Sequence, residues 1–234
     1  MKNLKENLEK IRSRVDLACR TADRPANEVT VLAVSKRHSV EKIAKLHDLG
    51  QHCFGENYVQ EAVAKMKQLD GVPIEWHFIG PLQSNKTREV ATHFRWAQSV
   101  DREKIARRLS SQRPKDLPPL NVCLQVNIDR EPQKAGVLPS GVRHLVELCA
   151  GLPGLRLRGL MCIPQPGSAD HDPANSYRRM LELFDSLCEE GFEMDTLSMG
   201  MSADLEAAIM HGSTMVRIGT DLLGPRPPLE TDSC

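Results

Sequence analysis

The chain has 234 residues, enough for one large domain with a substantial core. Lys+Arg and Asp+Glu both total 31, so no net field draws it to nucleic acid or to an anionic membrane surface, and neither is expected as a partner. No apolar run approaches the roughly 18 residues needed to span a bilayer, and the charged amino terminus is not a secretory signal.

Leu4, Leu8, Ile11 and Val15 recur at helical spacing, with Lys5–Glu9 and Glu6–Lys10 pairs on the outer faces, so the chain opens on an amphipathic helix. Residues 29–34 then read as a strand buried on both faces, because no alternation survives. Ser35 and Lys36 follow directly. A lysine at a strand end can be an ordinary surface cation. It can also be a reactive amine if burial and neighbouring cations lower its pKa from ~10.4. Further strands are predicted at 51–54, 74–79, 96–100, 121–128, 155–163, 196–199 and 214–218. Helical patterns fill 40–49, 58–69, 86–93, 102–111, 142–151, 177–190 and 205–211. Eight strand units alternating with helices predict an α/β fold, a single (β/α)8 TIM-type barrel with an additional N-terminal helix. An open doubly wound sheet competes, but the regular spacing favours closure. The barrel is taken as one domain over 1–234, with a loosely ordered tail from about residue 225.

The connector 112–119 is proline-rich and lies on the helix-to-strand side, whereas loop 164–175 follows the sixth strand and can cover a site. Cys19, Cys53, Cys123, Cys149, Cys162, Cys188 and Cys234 show no paired framework and no CxxC. Reduced, buried thiols in a cytoplasmic protein are expected, and the sequon at Asn85 is expected to be unused. The eight histidines contain no ligand-like spacing, so no metal is expected.

Barrels of this kind bind ligands at the carboxyl ends of their strands. Lys36, Gly55-Glu56-Asn57, Gly80 with residues 83–86, Asp101, Asn127, Met161 and Ser202 gather there. Gly200, Ser202, Gly212, Ser213, Gly219 and Thr220 concentrate small residues after strands seven and eight, either as turn chemistry or as a phosphate cup. Strands one and eight adjoin in a closed barrel, so an amine would face such a cup. That pairing suits pyridoxal 5′-phosphate. Arg217, two residues before Gly219, points inward as a partner for the ring nitrogen or else closes a surface ion pair.

Several motifs carry a resemblance: Val31-Leu32-Ala33-Val34-Ser35-Lys36, Phe54-Gly55-Glu56-Asn57-Tyr58-Val59-Gln60-Glu61, and the long run from Trp76-His77-Phe78 to Ser84-Asn85-Lys86. Leu157-Arg158-Gly159-Leu160-Met161, Leu197-Ser198-Met199-Gly200-Met201-Ser202 and Val216-Arg217-Ile218-Gly219-Thr220 continue it over nearly the whole chain. The sequence resembles the pyridoxal phosphate homeostasis family of PLP-binding proteins, related to the N-terminal barrel of alanine racemase and of bacterial-type ornithine decarboxylases. The resemblance implies that Lys36 carries PLP as an internal aldimine. It further implies that Ser202, Gly219 and Thr220 hold the phosphate, that Arg217 faces the ring nitrogen and that Asn57 lies beside the cofactor. His77 is either a cofactor contact or a satisfied core residue. Gln83, Asn85 and Lys86 divide between helix capping and ligand contact, and Asp204 and Glu206 are expected to serve the dipole of the next helix. Lys134 is a loop lysine near the mouth, solvated or able to relay PLP.

A racemase of this barrel type has a second β-rich domain supplying a tyrosine opposite the lysine. The chain ends soon after the eighth strand and holds only Tyr58 and Tyr177, so no catalytic residue is assigned. The expectation is a PLP carrier in intracellular PLP homeostasis, passing cofactor to apo PLP-dependent enzymes and influencing amino- and keto-acid balance. A PLP-dependent racemase or lyase of low activity is the alternative. A barrel binding a sugar phosphate non-covalently is a third reading. A monomer, or at most a weak dimer, is expected.

Overall fold

The computed structural model describes residues 4–167 and 172–226. Most of the expected loose tail and part of loop 164–175 therefore lie outside the described residues. Helix α1 (Leu4–Thr21) and a 3₁₀ turn (Ala26–Glu28) lead into β1 (Thr30–Val34) and α2 (Val40–Asp48). The alternation continues through β2 (Cys53–Glu56), α3 (Val59–Gln68), β3 (Glu75–Phe78), α4 (Thr87–His93), β4 (Trp96–Val100) and α5 (Glu103–Gln112). It ends with β5 (Leu120–Val126), α6 (Pro139–Ala150), β6 (Leu155–Cys162), α7 (Pro173–Glu189), β7 (Thr196–Met201), α8 (Leu205–Met210), β8 (Met215–Ile218) and α9 (Thr220–Leu223).

The eight strands are parallel and in chain order, and β1 pairs with β8 from Thr30–Met215 to Ala33–Ile218, which closes the expected barrel. Alternation decides what each strand shows to either side. Ala33, Phe54, Phe78, Val216 and Ile218 enter the outer core beneath the helices. Their neighbours face the barrel axis, where Trp96, Cys123 and Met161 form a separate small cluster. Leu32 and Met215 add apolar bulk to that interior, and His77, Gln98, Ser198 and Arg217 are buried polar groups within it. A strand buried on both sides shows no solvent face, and where its axis-facing residue is also apolar, as Leu32 is in β1, the sequence run is unbroken.

Helix α1 lies outside the βα count and packs on α2, α8 and α9 through Leu8, Ile11, Val15, Ala18 and Cys19. Burying each of the larger apolar side chains stabilises this arrangement by about 1.5–3 kcal/mol. Strand β2 begins two residues later than its apolar pattern implies, because Gln51 donates its amide to the carbonyls of Val31 and Cys53, both at 2.8 Å. Helices α6 and α7 begin earlier than their periodicity, since Pro139 and Pro173 preset the first turn and Asp172 accepts from the Ala174 N–H at 2.9 Å. The six described cysteines are free thiols, and Cys53 and Cys188 are half-buried rather than buried as expected. Among the described residues no helix is long and apolar enough to cross a membrane.

Candidate cofactor site

Strand β1 stops at Val34 and the chain turns back over Ser35–His38. The His38 N–H donates to the Ser35 carbonyl at 3.0 Å, and Arg37 adopts φ +63°. Left-handed backbone costs a non-glycine residue roughly 1–2 kcal/mol, so the turn must be held from outside. Glu61 on α3 accepts the Arg37 N–H, and Lys65 one turn later donates to the Ser35 carbonyl at 2.8 Å. Lys65 also reaches Glu56 and Glu61, each at 2.7 Å, while the Ser35 hydroxyl donates to Glu56 at 2.7 Å. Glu56 is fully buried and its second oxygen has no partner, so burial raises its pKa against the pull of Lys65.

Lys36 stands on this clamped turn, half-buried, with no hydrogen bond or ion pair to its amine among the described residues. Burial, then the nearby Arg226 cation, lower its pKa below the ordinary lysine range, opposed by Glu56 and Glu61. Two residues on, His38 is buried with Nδ1 unpartnered, and burial with Lys42, Lys65 and Arg226 nearby pushes its pKa down to about 4. The imidazole is neutral at pH 7.

The other expected residues ring the same mouth. Asn57 directly follows β2, and its Oδ1 is buried without a partner among the described residues. Gly80 brings the loop after β3 onto it: a Cβ there would lie 2.1 Å from the Asn57 carbonyl oxygen. On the other side, Gly200 takes φ +92° at the end of β7, where a side chain would press Ala208, and the chain turns at Ser202 into α8. The Ser202 carbonyl accepts from Arg14 of α1 at 2.8 Å. Arg14 also binds Glu206 through two nitrogens, at 2.6 and 2.9 Å, and Asp221 at 3.2 Å, tying α1 to α8 and α9. Gly219 and Thr220 open α9, and the N–H groups of Thr220 and Asp221 have no partner within the helix. A Cβ at Gly219 would meet only Val34, at 3.7 Å, so the protein itself does not demand glycine there.

Arg217 faces the barrel axis and, among the described residues, forms no ion pair. It donates to the Ser198 carbonyl at 2.7 Å, the Ser198 hydroxyl at 2.9 Å and the Cys162 carbonyl at 2.8 Å. Burial lowers its pKa, yet a guanidinium stays charged, and two of its five N–H groups remain unused among the described residues. Below it the Ser198 hydroxyl donates to Gln98 at 2.7 Å, and Gln98 meets His77 Nδ1 at 2.8 Å. His77 is fully buried, stacks on Trp96 at 5.0 Å and bonds Glu75 at 3.1 Å, so it is a core residue whose partners lie inside the barrel.

The remaining expectations separate in the same way. Asp204 accepts from the Tyr177 hydroxyl at 2.7 Å and the Met201 N–H at 2.6 Å, and Glu206 pairs with Arg14, so both brace the Ser202 turn through specific bonds. Gln83 and Asn85 are exposed, and no side chain caps α4. Lys134 pairs with Glu131 at 2.5 Å and donates to the Pro164 carbonyl at 3.1 Å, which makes it a loop fastener. The clamp of Glu56, Glu61 and Lys65 escaped the sequence reading. The i, i+4 pair Glu61–Lys65 beside a motif glutamate was its available signal.

Residues 3–227 match the family described as alanine racemase, N-terminal domain. A pyridoxal phosphate homeostasis protein of Pseudomonas aeruginosa is 50% identical over 226 residues, covering 97% of each chain. This chain belongs to the pyridoxal phosphate homeostasis protein family. Its relative of that name in Escherichia coli K12 is 48% identical over 229 residues, 97% of this chain and 98% of the relative. PipY of Synechococcus elongatus, solved with PLP bound, superposes with a TM-score of 0.82 at 34% identity, over 95% of this chain and all of that one. Alanine racemase of Clostridium difficile 630 shares the fold, with a TM-score of 0.72 at 16% identity, over 97% of this chain and 58% of the racemase.

Proposed function

We propose that this member of the homeostasis family binds pyridoxal 5′-phosphate at the carboxyl-end mouth of its barrel, and that it holds and releases the cofactor instead of turning over a substrate. The observation that carries this reading is Lys36: a half-buried amine of lowered pKa, without a partner among the described residues, on a turn that three buried or half-buried charges hold rigid. The residues around it fit the group. Asn57 offers a buried, unsatisfied oxygen, Arg217 offers unused donors from the barrel interior, and Gly219 leaves open space where a side chain would stand.

When bound, pyridoxal phosphate supplies an aldehyde that condenses with an amine and a ring that delocalises adjacent negative charge. Lys36 is the amine that would hold it. Ser202, Thr220 and the N–H groups opening α9 would bind the phosphate, Arg217 would face the ring nitrogen, and Asn57 would lie alongside. A guanidinium donates hydrogen bonds but gives up no proton at neutral pH, so Arg217 would fix the ring's position without acidifying its nitrogen.

The carrier half of the proposal is supported by the tyrosines. Tyr177 is buried, donates to Asp204 and has its pKa pushed up by burial and that carboxylate, while Tyr58 is exposed just before α3. Tyr177 is thereby kept as a neutral hydroxyl engaged by Asp204, not a free proton-transfer partner for Lys36. We further propose apo PLP-dependent enzymes as recipients and a monomer as the working state. The exposed large apolar residues Leu17, Tyr58, Leu138, Ile163, Met201 and Met210 are separated along the chain.

Borohydride treatment of the PLP-loaded protein followed by peptide mass analysis tests the site: the label is expected on Lys36 and absent from Lys36→Ala. Sustained turnover of any amino acid by the loaded parent, lost in Lys36→Ala, would overturn the carrier reading. Transfer to an apo-enzyme in the presence of a trap for free PLP distinguishes direct delivery from release.

A further inference from the structure

We infer that the opposite, amino-end mouth of the barrel is a binding site for a thiophilic divalent cation of the zinc class, held by Cys53, Glu75 and His77. Cys53 and Glu75 open β2 and β3 and stand opposite each other in register, and His77 is the next axis-facing residue along β3. Cys53 Sγ lies 3.7 Å from Glu75 Oε1, His77 Nε2 lies 3.1 Å from the same oxygen, and all three donor atoms fall within 4.8 Å of one another. Zinc bonds of about 2.3 Å to sulfur and about 2.0–2.2 Å to nitrogen and oxygen give tetrahedral edges of roughly 3.4–3.6 Å. These two edges are already close to those lengths. Thiolate, imidazole and carboxylate are also the donor set such an ion prefers.

Two further features point to a ligand here. Cys53 and Glu75 border a cavity of about 550 Å³ lined also by Trp96, Arg158 and Asp195, with His77 buried behind Glu75, and this cavity supplies an entry path and room for a fourth, water ligand. The indole N–H of Trp96 is buried at that cavity wall, which Glu75 also lines, and has no hydrogen-bond partner among the described residues. A metal-bound water or a repositioned carboxylate oxygen would give it an acceptor. Behind the site, Gln98 meets His77 Nδ1 and orients the ring, as outer partners of metal-binding histidines do.

Binding would break the Cys53 S–H bond and form a sulfur–metal bond, with the proton leaving through the cavity. The ring proton of His77 would pass from Nε2 to Nδ1, and the Gln98 amide would turn its oxygen to accept it. Without an ion, burial and Glu75 hold the Cys53 thiol up at about 12, so the free site keeps its proton.

Cobalt(II) is the probe, added to the full chain and read as a difference spectrum against cobalt-free protein so that any cofactor band cancels. One equivalent is expected to produce a thiolate-to-metal charge-transfer band with the intense visible bands of four-coordinate cobalt, displaced by zinc. Cys53→Ser removes the charge-transfer band and weakens binding at least tenfold, and Glu75→Gln keeps the band with weaker binding. Both replaced side chains are half-buried, and far-UV circular dichroism checks that each variant is folded. The inference fails if stoichiometric cobalt gives no such band, or if Cys53→Ser retains it because another cysteine holds the ion.

Discussion

Lys65 shows how much of the site depends on one buried side chain. Its ammonium is shared among Glu56, Glu61 and the Ser35 carbonyl, and nothing else described neutralises Glu56. Replacing Lys65 with Met leaves Glu56 buried and unpaired, a loss of about 3–5 kcal/mol of stability. Urea unfolding should record that loss, and Glu56→Gln/Lys65→Met should recover most of it; equal stability of the single and double variants would contradict the pairing. His38 sets a pH limit beside the same turn. Its folded pKa is about 4 against about 6.5 for the free side chain, so the unfolded chain binds more protons between those values. Stability from this group is complete above pH 6.5 and is lost as the pH falls toward 4, by an amount of order 3 kcal/mol. Chemical denaturation of His38→Gln across that window should show a flatter slope than the parent.

Helix α1 lies outside the eight-unit repeat, and it is the element that braces the proposed phosphate end. Arg14 meets the Ser202 carbonyl, Glu206 and Asp221 together, so one side chain couples the turn after β7 to the helix after β8. Arg14→Ala is expected to reduce stability by no more than about 1 kcal/mol, because the ion pairs are partly exposed. PLP should dissociate several-fold faster, with the amount loaded at saturation unchanged; dilution-driven release followed by absorbance measures both. Elements of this kind mark the limit of what was legible in the sequence. The eight strands were readable because two-sided burial leaves long apolar runs, and the places of Lys36, Arg217 and Gly219 at strand ends followed from those runs. Arg14 and Lys65 were not. Their amphipathic helices predict only a solvated polar face, and the contacts that give them a role span up to 207 positions in sequence. Cys53 and Glu75 were missed for the same reason, since parallel register across two strands, not local spacing, brings them together.

At the scale of the molecule, closure places the first and last strands side by side, and the proposed cofactor site straddles that seam. Lys36 follows β1, Asn57 follows β2, Ser202 follows β7, and Arg217 to Thr220 end β8. A ligand held by all four strand ends links the two termini of the folding unit and must be released before the barrel opens. Beneath it, hydrogen bonds run from Arg217 through Ser198 and Gln98 to His77 and Glu75, so the polar interior joins the two mouths. PLP binding is therefore expected to stabilise the barrel as a whole. At free PLP 100 times its Kd, linkage gives about 2.7 kcal/mol. For a chain of this size each kcal/mol moves Tm by about 2–4 °C, so a rise of roughly 5–10 °C is expected. Calorimetry of the parent and of Lys36→Ala at the same PLP concentration tests it. The variant keeps the proposed phosphate-binding residues but not the amine, so its rise should be a small fraction of the parent's. An equal rise in both would mean that the ligand is held elsewhere, and no rise in the parent would mean that the seam is not where it binds.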